Sequence, residues 1–220
     1  MRPYYNACRS LAHVLLGVLT GCSVRGLNLL PAEGGLVVAA NHISFWDPPL
    51  IGSVIPREIH FLAKEELFQA PVFGPLIRSV NAIPIRRGAS DLRGLNRAID
   101  ALKSGGAVLL FPEGSRMRDG ALHPPRPGVG LMSVHADVPI MPCFISGSQP
   151  TAAWMSRKER VRIDFGTPRD WRDYAGRSTD LTPGRELYQR IGAAVMGDIA
   201  RLRDTQHMAS HGADKTPRPS

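Results

Sequence analysis

The sequence predicts a single α/β domain built on a mostly parallel, mixed β-sheet that is flanked by helices. Short segments with strand-like composition alternate with longer segments of helical periodicity, the pattern of parallel strands joined by crossover helices. The segment AVLLF at residues 107 to 111 is apolar throughout, as expected of a strand covered on both faces. With 220 residues, of which 43% are hydrophobic, the chain is long enough for one well-formed core.

The first half of the chain is divided by turn residues and prolines, which separate apolar runs from helical ones. Pro31 to Gly35 mark a turn between two predicted strands, and Pro71 marks a break within a helical stretch. In chain order we predict a helix at residues 6 to 20, strands at 24 to 30 and 36 to 40, a short helix at 48 to 54, a strand at 59 to 63, a helical stretch at 64 to 80 and a strand at 82 to 85.

The second half shows the helical period most clearly. Leu92, Leu95, Ile99 and Leu102 step by three, four and three residues, which predicts an amphipathic helix that Gly105-Gly106 ends. After it we predict strands at residues 107 to 111, 138 to 145 and 160 to 165, a helix at 128 to 136, and a long final helix through Leu187, Ile191, Val195, Ile199 and Leu202.

We predict three parts along the chain: a membrane-associating helix at residues 1–21, a folded domain at 22–204 and a polar, disordered tail at 205–220. The N-terminal segment allows two interpretations. Leu19 to Cys22 match the lipidation site of a bacterial lipoprotein signal, whereas an oily or amphipathic helix would lie on the membrane surface. We favour the surface helix because a predicted strand follows Cys22 at once, without a flexible tether. No run of 18 apolar residues occurs, so we predict no classical membrane span.

The charge and the cysteines restrict the class of partner and the compartment. The net charge is +8, and such an excess suits an anionic partner such as phosphate, acidic lipid or an acidic carrier. Five arginines and a single aspartate fall between residues 78 and 97: Arg78, Arg86, Arg87, Arg93, Arg97 and Asp91. Aromatic residues make up only 6% of the chain and no nucleic-acid-binding motif occurs, so no nucleic acid is expected. Three cysteines without a CxxC pair support neither a disulfide framework nor a zinc site, and a reducing, cytosolic setting follows.

Polar residues follow three of the predicted strands at the point where each strand ends. LVVAA runs into Asn41-His42, AIPI into Arg86-Arg87, and AVLLF into the segment 112 to 116. Ligands of parallel sheets bind at the carboxyl ends of the strands. If these strands are parallel, the three clusters converge on one site.

His42 and Asp47 stand five residues apart, a spacing at which neither a helix nor a straight strand brings two side chains together. They meet only if the chain turns sharply, and Asp47 before Pro48 fits an N-cap followed by proline at the first helical position. A carboxylate on one imidazole nitrogen fixes the tautomer and raises the basicity of the other. His42 is therefore a candidate general base oriented by Asp47; the alternative is a capping aspartate beside a merely exposed histidine.

Five motifs, in this order and spacing, resemble those of the glycerolipid acyltransferase family, and most closely the lysophosphatidate acyltransferases. They are NHISFWDP, FLAKEELF, IPIRRG, FPEGSR and VPIMPCFISG, and the resemblance covers roughly residues 22 to 165. It implies that His42 and Asp47 form the catalytic dyad and that Arg87 binds the phosphate of the acceptor. It also implies that Glu113, Gly114, Ser115 and Arg116 hold the acceptor. Further candidates are Arg86, Lys64 and Pro142, with residues 138 to 145 lining the path of the acyl chain.

The resemblance implies a peripheral enzyme on the cytoplasmic face of the membrane. It would move a fatty acyl group from acyl-CoA or acyl carrier protein to the free hydroxyl of 1-acyl-glycerol-3-phosphate and form phosphatidic acid. No metal and no cofactor beyond the acyl donor is expected. Two alternatives stay open: another acceptor, such as glycerol 3-phosphate or a different lyso-lipid, and a non-catalytic lipid-binding protein on the same scaffold. For Trp46, beside Asp47, we predict packing in the core rather than a lid or a membrane anchor.

Overall fold

The computed structural model describes residues 2–86, 92–149, 160–176 and 181–213 of the chain. Within these ranges the strands are β1 (Ser23–Arg25), β2 (Leu36–Ala40), β3 (Ile59–Lys64), β4 (Ala82–Ile85), β5 (Ala107–Leu110), β6 (Ile140–Ser146) and β7 (Arg162–Phe165). The helices are α1 (Pro3–Thr20), α2 (Asp47–Val54), α3 (Phe73–Ser79), α4 (Leu92–Lys103), α5 (Gly128–Ala136), α6 (Trp171–Ala175) and α7 (Arg185–Ala213). Most predicted elements are therefore confirmed, with ends that shift by a few residues.

The described strands form one seven-stranded sheet in the order β1-β7-β6-β2-β5-β3-β4. The five strands from β6 to β4 are parallel to one another, while β7 runs antiparallel to β6 and pairs in parallel with β1. The predicted fold class, a mostly parallel mixed sheet with flanking helices, is confirmed. Because β2 lies between β5 and β6, the segments that follow these three strands emerge side by side at one edge.

Alternate residues of the central strands feed two hydrophobic clusters, one on each face of the sheet. Val37 and Ala39 of β2 point to the face covered by α4, α5, α6 and α7. Leu36, Val38 and Ala40 point to the face covered by α1 and α2. All five residues of β2 are fully buried, which explains why the segment is apolar throughout rather than alternating.

Helix α1 is part of the folded domain on one side and uncovered on the other. Tyr5, Leu16 and Thr20 are buried, and Leu16 joins the cluster beneath α2. The helix ends at Gly21, which adopts the left-handed conformation with φ +57°. The strand predicted at residues 24 to 30 is shorter than expected. Gly26, with φ +71°, ends β1, and a 3₁₀ turn follows at Leu27–Leu29.

The C-terminal helix is longer than predicted. We expected a disordered tail from residue 205, but α7 continues to Ala213. The reason lies in Gln206, which is four residues after Leu202 and therefore on the same helix face. Gln206 is buried, its amide donates to Asp164 Oδ2 at 3.2 Å, and it accepts from the Ser146 hydroxyl. The apolar period ends at Leu202, but the packing continues through polar contacts.

Candidate functional site

The site lies at the carboxyl edge of the sheet, where β2 and β5 end side by side. The predicted convergence holds for the segments after these two strands, since the backbone N–H of His42 donates to Glu113 Oε2 at 2.9 Å. The Met117 N–H also donates to the His42 carbonyl at 2.7 Å. The third segment, after β4, begins at the same edge but at the end of the sheet, two strands from β5.

His42 and Asp47 form a buried pair. His42 Nδ1 lies 2.8 Å from Asp47 Oδ2, and the Asp47 side chain is fully buried while His42 is 9% exposed. Because a carboxylate only accepts, Nδ1 carries the proton and Nε2 is left as the acceptor of a neutral ring. Within the described residues Nε2 has no hydrogen-bond partner. The predicted turn between the two residues therefore exists, and it leaves a basic nitrogen available to a ligand.

Asp47 is not the N-cap residue of α2 that the sequence predicts. It is the first residue of α2, with Trp46 in the cap position. Its Oδ2 accepts the backbone N–H groups of Ile43 and Ser44, both at 2.8 Å, so it closes the turn that precedes it. Its Oδ1 accepts from the hydroxyl of Ser148, which lies just beyond β6. The carboxylate thus has four donors, and only one of them is His42.

Two further side chains fix the segment that carries His42. The rings of His42 and Phe111 stack with centroids 4.0 Å apart and planes 20° apart. Asn41, almost fully buried, donates to the Ile145 carbonyl at 2.9 Å and accepts the Ile145 N–H at 2.8 Å. Strand β2 is therefore tied to β5 by ring stacking and to β6 by a two-way side-chain bond.

Glu113, predicted to hold the acceptor, is buried beneath His42 instead. One carboxylate oxygen accepts the His42 N–H, and the other accepts the His123 N–H at 3.3 Å. Burial raises the pKa of Glu113, and the two backbone donors oppose that rise. Its observed contacts are those of a support for the dyad, and its exposure of 3% leaves little surface for a ligand.

The next three residues of the motif lie closer to the surface than Glu113. Gly114 has φ +72°, and a Cβ there would lie 2.5 Å from Arg126 Cδ, so the turn favours glycine. Its N–H donates to the Phe111 carbonyl at 2.9 Å and is not free for a ligand. Ser115 is half-buried, and Arg116 is exposed. The Arg116 guanidinium lies 6.0 Å from the centre of the Phe45 ring, without a carboxylate partner among the described residues.

The basic residues after β3 and β4 are only partly described. Arg86 binds Glu65 with two contacts, Nε to Oε2 at 2.5 Å and Nη2 to Oε1 at 3.3 Å. Arg87, the predicted phosphate ligand, lies outside the described residues. Lys64 ends β3 and is exposed. The contacts with Glu65 engage the Arg86 guanidinium within the protein.

The path predicted for the acyl chain along residues 138 to 145 is not seen. Pro142 pairs with Ala39 in the middle of the sheet. Its neighbours Met141, Cys143 and Ile145 fill one core cluster, and Phe144 fills the other. Alternation along β6 sends these side chains into the packed faces of the sheet. They are core residues and do not form the wall of a channel.

Trp46 is not a core residue either. It is 38% exposed, and its neighbour Phe45 is 47% exposed. Phe45 contacts the Phe73 ring with centroids 6.1 Å apart, at the start of α3. Val72 and Leu76, beside Phe73, are 83% and 47% exposed. An apolar lip therefore borders the site, formed by Phe45, Trp46, Val72 and Leu76; we call it the aromatic lip.

The described part of the chain offers neither a metal centre nor a membrane-spanning helix. There, no group of three or more histidine, cysteine, aspartate or glutamate side chains is placed to hold a metal ion. Among the same residues, every helix is too short or too polar to cross a membrane.

The chain is similar to known acyltransferases in both sequence and fold. The family model described as acyltransferase matches residues 21–146. The chain is 31% identical to the 1-acyl-sn-glycerol-3-phosphate acyltransferase of Streptococcus pneumoniae, over 99% of this chain and 79% of the relative. It is 34% identical to the lyso-ornithine lipid O-acyltransferase of Pseudomonas aeruginosa, over 49% of this chain and 41% of the relative. The crystal structure of the 1-acyl-sn-glycerophosphate acyltransferase PlsC of Thermotoga maritima superposes with a TM-score of 0.70 and 25% identity, covering 90% of this chain and 79% of that one.

Proposed function

The chain belongs to the acyltransferase family, and from that premise we propose that it acylates 1-acyl-glycerol-3-phosphate to phosphatidic acid. One observation carries the proposal: a buried His42–Asp47 pair with a contact of 2.8 Å, at the carboxyl edge of a parallel sheet. Relatives named for this activity match nearly the whole chain. An intact dyad also argues against the alternative of a non-catalytic lipid-binding protein.

The proposed reaction is direct transfer within a ternary complex. His42 Nε2 takes the proton of the acceptor hydroxyl as its oxygen attacks the thioester carbonyl. The new C–O bond forms, the C–S bond breaks, and the leaving thiolate takes the proton back from His42. Asp47 holds Nδ1–H and stabilises the positive charge that the ring carries between the two proton transfers.

Arg116 and Arg87 are the proposed ligands of the acceptor's phosphate. A guanidinium donates two parallel hydrogen bonds to a phosphate, which a lysine cannot reproduce. Arg116 supports this role because it is exposed beside the dyad-bearing segment and has no carboxylate partner in the described ranges. For Arg87, the proposed phosphate-binding role rests on its position in the motif alone.

The acyl chain needs a site other than β6, and a cavity of about 280 Å³ with a lining of mixed polarity lies between α1, β1 and α2. Its lining residues are His13, Leu16, Gly17, Cys22, Val24, Leu50, Ser53 and Val54. Helix α2, which supplies three of them, begins at Asp47. Each buried CH₂ group contributes about 0.8 kcal/mol, so we propose that this cavity receives part of the chain.

We propose that the protein acts at the membrane surface through α1 and the aromatic lip. Six large apolar side chains of α1 are at least half exposed: Tyr4, Leu11, Val14, Leu15, Val18 and Leu19. The Tyr4 hydroxyl lies 3.4 Å from the Ser79 hydroxyl at the end of α3, so the two surfaces adjoin. An amphipathic helix of this kind inserts its apolar face at the lipid headgroup level. The burial of Tyr5 and Leu16 supports the uncleaved helix over the lipoprotein signal, because cleavage before Cys22 would remove part of the core.

A panel of acceptors and donors tests the proposed function. The purified chain is assayed with lysophosphatidate, glycerol 3-phosphate and lyso-ornithine lipid, each with acyl-CoA and with acyl carrier protein as donor. Lysophosphatidate should give the highest kcat/KM with one or both donors. The relative from Pseudomonas aeruginosa is named for lyso-ornithine lipid. A higher kcat/KM for that lipid would show that it is the acceptor, with the acyl-transfer reaction unchanged. No transfer to any acceptor would contradict the proposal as a whole.

A further inference from the structure

Ser148 occupies a position that no motif of the site explains. It lies two residues beyond β6, is fully buried, and stands 101 residues from Asp47 in sequence. Gly147, just before it, has φ +70°, and a Cβ there would lie 2.4 Å from the Arg160 carbonyl oxygen. Only glycine can make this turn without strain. The turn brings Ser148 against the Asp47 carboxylate.

The contact between Ser148 and Asp47 differs from the other three that the carboxylate makes. Oδ2 of Asp47 receives His42 and two backbone N–H groups from its own turn. Oδ1 receives the Ser148 hydroxyl alone among the described residues. Without that hydroxyl, a charged oxygen at zero exposure would have no partner, which is costly in a buried site.

The carboxylate must also keep its rotation about the Cβ–Cγ bond if Oδ2 is to face His42. Three donors from residues 42 to 44 converge on Oδ2, and Ser148 is the one described residue from a distant segment that bonds the carboxylate, through Oδ1. Ser148 follows β6 closely, and β6 has a fixed position relative to His42. Asn41, next to His42, exchanges two hydrogen bonds with Ile145 near the end of β6.

Resting on the proposed function, we propose that Ser148 is a positioning residue of the acyl transfer. Its hydroxyl holds Asp47 in the orientation that keeps the proton on His42 Nδ1 and leaves Nε2 basic. It does not touch the substrates. Its loss should therefore lower kcat and leave the KM of both substrates nearly unchanged.

Ser148→Ala is the first test, with Ser133→Ala as the matched control. Ser133 is also fully buried, but its hydroxyl donates to the Gly130 carbonyl within α5, on the other face of the sheet. A hydrogen bond to a charged group predicts a fall in kcat of about 10- to 100-fold for Ser148→Ala, and less than twofold for Ser133→Ala. The downfield proton signal of His42 Nδ1–H, identified by its absence in His42→Ala, should move or broaden in Ser148→Ala only.

A second pair of variants separates the hydroxyl from the volume of the side chain. Ser148→Thr and Ser148→Val have nearly the same size and differ in the hydroxyl, so Thr should turn over at least tenfold faster than Val even if both are destabilised. Equal rates for this pair, or a Nδ1–H signal that is unchanged in Ser148→Ala, would overturn the positioning role. The NMR signal requires no turnover. A failure of the proposed function, seen as no transfer by the unaltered chain, is thereby distinguished from a failure of this inference.

Discussion

The two halves of the site differ in how firmly the protein holds them. On the dyad side, Asp47 and Asn41 are buried and fully bonded, and His42 is stacked on Phe111. On the proposed acceptor side, Arg116 is exposed, and Arg86 is exposed while paired with Glu65. A proton transfer requires fixed geometry, whereas capture of a lipid phosphate from a membrane tolerates a mobile cation. We therefore expect dyad variants to change kcat, and acceptor-side variants to change KM.

The largest expected effect is that of His42→Ala. Loss of a general base lowers the rate by about 10² to 10⁴, and the fold should persist because the buried Asp47 carboxylate keeps three other donors. Steady-state kcat and thermal unfolding measure the two effects. His60→Ala is the control, since His60 lies at the opposite edge of the sheet, where it bonds the Ala107 carbonyl. Near-normal turnover by purified His42→Ala would exclude His42 as the base.

Arg116→Ala should raise the KM for lysophosphatidate by about tenfold, the worth of a charge-assisted hydrogen bond. The KM for the acyl donor should hardly change. Arg118→Ala is a matched control from the same exposed segment. An equal rise in the KM for acceptors with and without a phosphate would show that Arg116 does not bind the phosphate.

Gly114→Ala tests the turn between the two halves. An alanine at φ +72° costs about 1 to 2 kcal/mol of unfolding free energy, because the left-handed conformation crowds its Cβ. The nearby Arg126 side chain can move aside and adds less. Urea unfolding measures the loss, with Gly128→Ala as control, since Gly128 has open space around it. Equal stability of the two variants would show that the turn is not strained.

Gly17→Leu should shift the preference of the enzyme towards shorter acyl chains by a few fold, because Gly17 lines the cavity beside α2 and a Cβ there meets no atom within 4 Å. Competition between donors of different chain length measures the shift. Gly197→Leu provides the control: it is also a helical glycine with open space, but it lies on α7. An unchanged chain-length profile would remove the acyl chain from this cavity.

Membrane binding should show the smallest effect per residue. Val18→Asp on α1 should weaken binding to vesicles of phosphatidylcholine and phosphatidylglycerol by several fold, and added salt should weaken it further because each basic residue near the surface contributes about 1 kcal/mol. Met208→Asp is the control, since Met208 is 76% exposed on α7. Co-sedimentation with vesicles measures both. If the two variants bind alike, α1 is not the docking surface.

The sequence predicts the sheet and the contact between His42 and Asp47 well because both depend on local patterns. Apolar runs identify the strands, and the strand-to-helix turn from His42 to Asp47 is contained within six residues. Contacts between distant segments were not predictable. A lone serine at position 148 and a lone glutamine at 206 carry no periodic or motif signal, and only the assembled sheet brings them to Asp47 and Asp164.

Two errors have a common cause. Trp46 was predicted to be in the core and residues 138 to 145 along an open path, because apolar character alone does not tell which surface a side chain faces. Trp46 instead reaches the surface at the start of α2, and β6 is central in the sheet, where both faces are covered. Glu113 shows the converse, since a charged residue in a ligand-binding motif turned inwards to bond the His42 backbone.

We propose that His42 and Asp47 act as one unit, and the rate of the double variant His42→Ala/Asp47→Asn tests this directly. Each single variant and the double variant are compared in single-turnover transfer from a labelled acyl thioester to saturating lysophosphatidate, at matched folded fractions. Residues that act through each other show non-additive losses. We predict that the double variant is no slower than His42→Ala alone. Losses that multiply would show that Asp47 contributes independently of His42 and would contradict the dyad.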